Sequence, residues 1–255
     1  MQKLLREDAI LKMVDVCRKD MPKTGTVKLL KHLQESWSNQ GIDVGRDSLN
    51  TILRSHNLLV RKRARSIPKT TNSFHSFRRY PDLVNENKNN FIRPHQVWVS
   101  DITYIPMEGQ NKWCYLFLVS DMVSKKIVGY HLSGNMSSKS AVDALSMAIS
   151  NNYEHIKSLI HHSDRGIQYC SESYVRLLEK YKIGISMTQS GSPYDNAVAE
   201  RINGILKHEL IYPFGKIYSI DEARERVEKA VNTYNNQRKH MSVNYLTPEL
   251  MHLNN

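Results

Sequence analysis

The chain has 255 residues, 40% hydrophobic and 24% charged, enough for one large domain or two smaller ones without disulfide staples. Its 36 Lys and Arg against 25 Asp and Glu leave a formal charge of +11, which favours a polyanionic partner, nucleic acid or an acidic membrane surface. The longest uncharged apolar run, about Trp113 to Ser120, is too short to span a bilayer, the first twenty residues lack the plan of a signal peptide, and Cys17, Cys114 and Cys170 form no CxxC pair; a membrane span, a disulfide framework and a zinc knuckle are excluded, and the expected compartment is the reducing cytoplasm.

The charge is concentrated early in the chain. Residues 1–90 hold 18 bases and 9 acids, whereas residues 91–255 hold 18 and 16. Between Ser48 and Pro81 there is no acid, but there are Arg54, Arg61, Lys62, Arg63, Arg65, Lys69, Arg78 and Arg79. Met1–Asp20 reads as a helix, with Ile10, Met13, Val14 and Cys17 at helical spacing. After a break at Pro22 and Gly25, Val27, Leu30, Leu33 and Trp37 predict a second helix. Gly41 and Gly45 make a turn, and Leu49, Ile52 and Leu53 mark a third helix from about Asp47 to Asn57. Two amphipathic helices around a short Gly-containing turn suit a helix-turn-helix, the second helix reading bases while Arg61, Lys62, Arg63 and Arg65 lie along phosphates. A small bundle with a solvated basic face fits the same pattern; the acid-free basic run favours nucleic acid. Residues 1–65 are therefore expected to be a helical DNA-binding region, and 66–94, rich in Ser, Thr, Asn and Pro, a linker.

From Gln96 the texture changes to strands. Val97–Ile105 is β-rich and stops at Pro106; Lys112–Val119 and Lys126–Leu132 follow across short turns, an antiparallel meander. Next come a helix (Ser138–Ser150), a strand (Leu159–His162), a helix (Ser171–Tyr181), a strand (Ile183–Thr188), a Gly/Ser/Pro loop (Ser190–Tyr194) and helices Ala197–Leu210 and Ile220–Tyr234. The order predicts an α/β domain over 95–255, a mixed sheet flanked by helices.

Most acids here read as helix-start or surface residues, but three do not. Asp101 lies inside the strand and shares its face with Val97, Val99 and Ile105. A carboxylate there needs a cation or hydrogen bonds; a buried structural Asp is as good a reading as a metal ligand. Asp164 follows an apolar strand, where open α/β sheets place ligands, although a turn Asp before Gly166 is the simpler reading in isolation. Glu200 shares a helical stripe with Asn196, Asn203 and Lys207, a stripe that could also merely face water. Asp195 reads as a helix cap and Asp121 as a turn residue. Adjacent His161 and His162 point to opposite strand faces and make no shared metal site. A strand, a strand end and a facing helix can bring three carboxylates together. Phosphodiester chemistry wants such a cluster, because two Mg²⁺ ions roughly 3.5–4 Å apart activate the attacking oxygen and stabilise the leaving one.

The motifs Trp98-Val-Ser-Asp-Ile-Thr-Tyr104, His162-Ser-Asp-Arg-Gly-Ile-Gln-Tyr169 and Gly191-Ser-Pro-Tyr-Asp-Asn-Ala-Val-Ala-Glu200, with 35 residues between Asp164 and Glu200, Lys207 seven positions on, and a tail of Tyr234-Asn-Asn-Gln-Arg-Lys-His240 and Leu246-Thr-Pro248, are collinear over about 95–250. Together they resemble a bacterial insertion-sequence transposase with a retroviral-integrase-like (Asp–Asp–35–Glu) core. The resemblance implies a ribonuclease-H-like fold and a triad of Asp101, Asp164 and Glu200 holding Mg²⁺ or Mn²⁺, two ions per site. It implies DNA contacts from Lys207, Tyr194, Asn196 and Arg165, with His162 flanking Asp164. The implied reaction frees a 3′-hydroxyl at the transposon end and joins it to target DNA, without a covalent protein–DNA intermediate. The implied partners are double-stranded DNA and further copies of the chain; relatives made as two reading frames add an upstream-frame protein or fusion. Unlike retroviral integrases, no His₂Cys₂ zinc set precedes the core, since His32 and His56 lack suitable cysteines. A ribonuclease-H-like nuclease that cuts without joining, and a non-catalytic regulator derived from a transposase, are the rival readings.

Overall fold

The structure, a computed structural model, describes residues 2–60, 78–109, 112–189 and 196–254. Arg61, Lys62, Arg63, Arg65 and Tyr194, singled out from the sequence, lie outside the described residues. Three helices open the chain: α1 (Gln2–Asp20), α2 (Thr26–Asn39) and α3 (Arg46–Ser55). Leu49 and Leu53 are the buried side of α3, as its spacing predicts. On α2 the buried line is Leu29, Leu33 and Trp37, while Val27 is exposed. The stripe read through Val27 and Leu30 is therefore rotated, because α2 packs between α1 and α3 and the i, i+4, i+8 line best faces both.

Residues 97–187 build a five-stranded sheet, order β3-β2-β1-β4-β5. Strands β1 (Val97–Met107), β2 (Lys112–Asp121) and β3 (Ile127–Ser133) form the antiparallel meander. After α4 (Ser138–Asn151), β4 (Ile160–Ser163) pairs parallel to β1, and after α5 (Glu172–Lys180), β5 (Gly184–Met187) pairs parallel to β4. The β1 strand continues through Pro106, where the sequence predicted it to stop. Strand β4 pairs only with Val97–Val99, so one side of β1 is already without a ladder there and a missing N–H is tolerated.

Two apolar layers cover the sheet. Trp98, Phe117, Val119 and Val128 pack under α4 and α5 through Ala141, Ala144, Leu145, Ala148, Tyr174 and Leu178. On the other face Val97 and Val99 meet Ala199, while Ile105, Leu116 and Leu118 meet Ile202 and Ile205. Those residues belong to α6 (Ala197–Ile205), which passes into one π-helical turn, Leu206–Ile211; α7 (Ile220–Asn236) follows. A last helix, α8 (Pro248–Leu253), starts where the Thr247 hydroxyl accepts from the Leu250 N–H. Part of the expected linker is built into the domain. The Met187 N–H donates to the Pro81 carbonyl at 3.1 Å, the Leu83 N–H donates to the Ser186 hydroxyl at 2.9 Å, and Val84 is buried, so this stretch seals the outer edge of β5.

The N-terminal helices rest on the π-turn and on the segment after α7. Glu209 accepts from Arg238 at 2.8 and 3.0 Å, with Lys28 of α2 at 3.6 Å, and Lys239 Nζ donates to the Lys31 carbonyl. Arg238 is buried and also meets His240 Nε2 at 2.8 Å. No helix among the described residues is long and apolar enough to cross a membrane.

Candidate active site

Backbone pairing brings the first two acids together. The parallel register sets Val99 opposite His162; carried two residues further it sets Asp101 beside Asp164, which directly follows β4. Adjacent strands run about 4.8 Å apart, so two carboxyls share the carboxyl end of the β1–β4 pair. Both are half-buried. The Gly166 N–H donates to Asp164 Oδ1 at 2.9 Å, and a β-carbon at Gly166 would lie 2.9 Å from that oxygen. The glycine lets the loop fold tightly against the carboxylate.

The third acid arrives on α6, which two buried amides fix to β1. Asn196 Nδ2 donates to the Ser100 carbonyl, and Asn203 Nδ2 donates to Asp101 Oδ2, each at 2.8 Å. Glu200 lies between them in sequence, on the first turn of α6, and is exposed. The polar stripe of Asn196, Glu200 and Asn203 thus straddles the acid-bearing strand rather than facing bulk water throughout.

The electrostatics are those of crowded anions. Burial, then Asp164, then more weakly Glu200, push the Asp101 carboxyl up to about 7 against the lowering pull of Asn203 and the Ile102 N–H. Glu200 is also raised, first by partial desolvation of its carboxyl and then by Asp164. Among the described residues, no three His, Cys, Asp or Glu side chains stand close enough to hold a metal ion as they are. The acids form an interacting group, not a closed cage, as expected where like charges face one another. The donor chemistry fits a hard divalent cation: carboxylate oxygens, plus the buried Oδ1 atoms of Asn196 and Asn203, which have no hydrogen-bond partner among the described residues.

The remaining sequence candidates separate. Asn196 spends its amide on the backbone beside Asp101, so its first role is to position α6. Arg165 is half-buried next to Asp164, and Lys207 is half-buried at the start of the π-turn. His161 and His162 do diverge. His161 Nε2 meets the hydroxyls of Ser100 and Tyr174 at 2.7 and 2.8 Å, while His162 Nδ1 meets Ser186 at 2.8 Å on the other side. Asp121, expected in the turn, is instead the buried last residue of β2, and its carboxylate accepts from the N–H groups of His95, Val123 and Ser124. Sequence reasoning missed the Asn203 bond to Asp101, and it missed Tyr169, whose buried phenol is held protonated by burial, Asp101, Tyr174 and Asp164 in that order.

Comparison with known proteins identifies the fold and the family. Two family models, each described as Integrase core domain, match residues 92–193 and 181–248. The chain is 35% identical over 221 residues to the insertion element IS600 uncharacterized 31 kDa protein of Shigella sonnei, covering 86% of this chain and 78% of that one. It is 34% identical to the transposase for insertion sequence element IS904 of Lactococcus lactis, covering 66% and 65%, and 36% identical to transposase InsF for insertion sequence IS3A of Escherichia coli, covering 61% and 53%. In fold it resembles the simian T-cell lymphotropic virus intasome structure with a PP2A B56 gamma subunit (TM-score 0.55, 19% identity, 91% of this chain and 72% of that one). It also resembles the HTLV-2 integrase catalytic core domain in complex with magnesium, in its trimeric form (TM-score 0.51, 21% identity, 63% and 97%). The sheet with its flanking helices is thus a ribonuclease-H-like integrase core, the fold of polynucleotidyl transferases. The chain belongs to the bacterial insertion-sequence transposases that carry this integrase core.

Proposed function

We propose that the chain cleaves the ends of an insertion sequence to free 3′-hydroxyls and then joins those ends to target DNA, with Asp101, Asp164 and Glu200 holding divalent ions. One observation carries the reading: Asp101 and Asp164 come side by side at a strand end, and the Asp164 charge raises the carboxyls of both Asp101 and Glu200. Structural carboxylates are normally paired with a cation or saturated with donors, as Asp121 is here. In this group carboxylates also act on one another, which is the arrangement a metal-dependent phosphoryl-transfer site requires.

In this reading Asp101, Asp164 and Glu200 would hold two Mg²⁺ or Mn²⁺ ions, which would supply activation of the attacking oxygen and stabilisation of the leaving one. The protein's own part is placement. Asn203 holds the Asp101 carboxylate, the Gly166 N–H holds Asp164, and the Asn196 amide ties the start of α6 to β1, from which Glu200 would reach toward both. Lys207, Arg165 and Tyr194 would contact DNA near the scissile phosphate. Arg61, Lys62, Arg63 and Arg65, after the α2–α3 pair, would follow the backbone of the terminal repeat. Work at two ends calls for more than one copy on DNA, and an upstream-frame partner or fusion would extend the DNA-binding region.

The test is product analysis. Labelled terminal-repeat DNA, protein and Mg²⁺ should yield 3′-processed ends and then joined strands. Cut strands without joined ones would mean a nuclease, and bound but uncut DNA a regulator.

A further inference from the structure

Tyr169 is 3% exposed, yet its buried hydroxyl has no hydrogen-bond partner among the described residues. Its neighbour Tyr174 shows what a satisfied phenol looks like here, with the hydroxyl 2.8 Å from His161 Nε2. Tyr169 is not a loose side chain that could turn to find a partner. Its N–H is bonded to the Gly166 carbonyl at 3.0 Å, its ring stands edge-on to Tyr174 at 5.4 Å, and the His161 ring lies at 6.3 Å. Its loop is the one that carries Asp164, tied through Gly166 at both ends: Gly166 donates to Asp164 and accepts from Tyr169.

A buried hydroxyl left unmade is a standing penalty, and phenylalanine would fill the same space without it. A phenol offers one hydrogen and needs an acceptor. The Tyr169 ring packs on the Asp164 turn: a β-carbon at Gly166 would lie 2.9 Å from Asp164 Oδ1 and 3.6 Å from Tyr169 Cδ2, and the register sets Asp101 beside Asp164. Both carboxylates disfavour ionisation of the phenol, so it stays a donor. Asn196 and Asn203, the two amides around Asp101, likewise keep a buried polar atom without a partner. Such atoms occur elsewhere among the described residues too, at Trp37, Trp98 and His252 for example, but here three of them gather at one set of acids.

We propose that Tyr169 is a positioning residue of the acid site: its hydroxyl hydrogen-bonds a water molecule shared with Asp101 and Asp164 when a divalent ion is held there, fixing how the two carboxylates are presented. The inference rests on the reading of these acids as ion ligands. It assigns Tyr169 no proton transfer and no contact with DNA. Groups one step removed from a metal through such contacts strongly affect its affinity.

The experiment is a thermal unfolding series of the full chain against MgCl₂ concentration, for wild type, Tyr169→Phe, Tyr174→Phe and Asp101→Asn. Wild type should gain Tm saturably with Mg²⁺, and Asp101→Asn should not. Without Mg²⁺, Tyr169→Phe should melt at or above the wild-type temperature, whereas its Mg²⁺ midpoint should rise about tenfold. Tyr174→Phe, which loses a satisfied hydroxyl, gives the scale of a purely structural effect: a lower Mg²⁺-free Tm. A Tyr169→Phe protein with the wild-type Mg²⁺ midpoint, or one whose Mg²⁺-free Tm falls as far as that of Tyr174→Phe or further, overturns the proposal. A wild type without a saturable response, or an Asp101→Asn protein that keeps it, defeats the ion-ligand reading and this proposal with it.

Discussion

Two glycines are crowded, and they crowd different things. A methyl group at Gly166 would lie 2.9 Å from Asp164 Oδ1, 3.4 Å from Gln168 Oε1 and 3.6 Å from Tyr169 Cδ2. Nonbonded heavy atoms settle roughly 3.5 Å apart or more, so the carboxylate has to retreat by about half an ångström and its 2.9 Å bond from the Gly166 N–H is strained. Misplacing a reacting group by 1 Å can lower the rate about 10²-fold. Half that displacement predicts about a tenfold loss of strand transfer for Gly166→Ala, near 1.4 kcal/mol on the barrier. Its folding stability should change by less than about 1 kcal/mol, because what moves is the end of a half-buried side chain. At Gly129 the same methyl would lie 2.4 Å from the Ala144 carbonyl oxygen and 2.7 Å from both N and Cβ of Ala148. These atoms belong to α4, whose Ala144 and Ala148 are buried against the sheet. The helix must lift as a body, and overpacking of that kind costs about 3 kcal/mol, or about 6–12 °C in Tm for a chain of this size. Urea unfolding and a strand-transfer assay on both variants separate the two effects. A fully active Gly166→Ala would refute the placement of Asp164, and a Gly129→Ala protein within about 1 kcal/mol of wild type would refute the close β3–α4 contact.

Other perturbations test the same structure elsewhere. Glu209→Gln should strand the buried Arg238 charge and destabilise by about 3 kcal/mol in denaturant unfolding, with part of the loss recovered when Arg238 is also neutralised; a loss under about 1 kcal/mol would mean that the pair is not shielded from water. Acid should unfold the chain. Burial drives His95, His161, His240 and His252 down to about 4, 3, 2 and 3, so below the ordinary imidazole value the unfolded state binds four protons that the native state refuses; Asp101, raised to about 7, and Asp121 and Glu200, also raised, offset part of this. Stability should therefore fall with pH from about 6.5 downward, at up to about 3 kcal/mol per pH unit, and equal stability at pH 7 and pH 5 would contradict the neutral buried imidazoles. Replacing Arg61, Lys62, Arg63 and Arg65 by Ala should weaken terminal-repeat binding and reduce the slope of log K against log salt by about 3–4; an unchanged slope would remove this run from the DNA track.

Much of the site was legible because it depends on short-range periodicity. Alternation along β1 put Asp101 on the face of Val97, Val99 and Ile105, and the apolar run before Asp164 put that acid at a strand end. The register was not legible. Which residue of β4 sits beside Asp101 is decided by the Val97–Ile160, Trp98–His161 and Val99–His162 pairs, far apart in sequence and invisible to local pattern. The Asn196–Glu200–Asn203 stripe was visible, but a helix face turned to water and one turned to a polar strand have the same spacing. Only the docking of α6 on β1 distinguishes them. The six residues of α8 are too few for periodicity to show, although Thr247 and Pro248 are a legible cap and first position. Pro106 misled because its meaning depends on whether a neighbouring strand is still present, which is again long-range.

The central claim is that Asp101, Asp164 and Glu200 act as one ion-binding unit. Its most direct test is to make Asp101→Asn, Asp164→Asn and Glu200→Gln separately and to follow terminal-repeat binding by gel shift alongside 3′-end cleavage and joining in Mg²⁺. The account predicts that each variant still shifts the DNA and that none cuts or joins it. Wild-type cleavage by any one of the three would remove that residue from the unit and contradict the account.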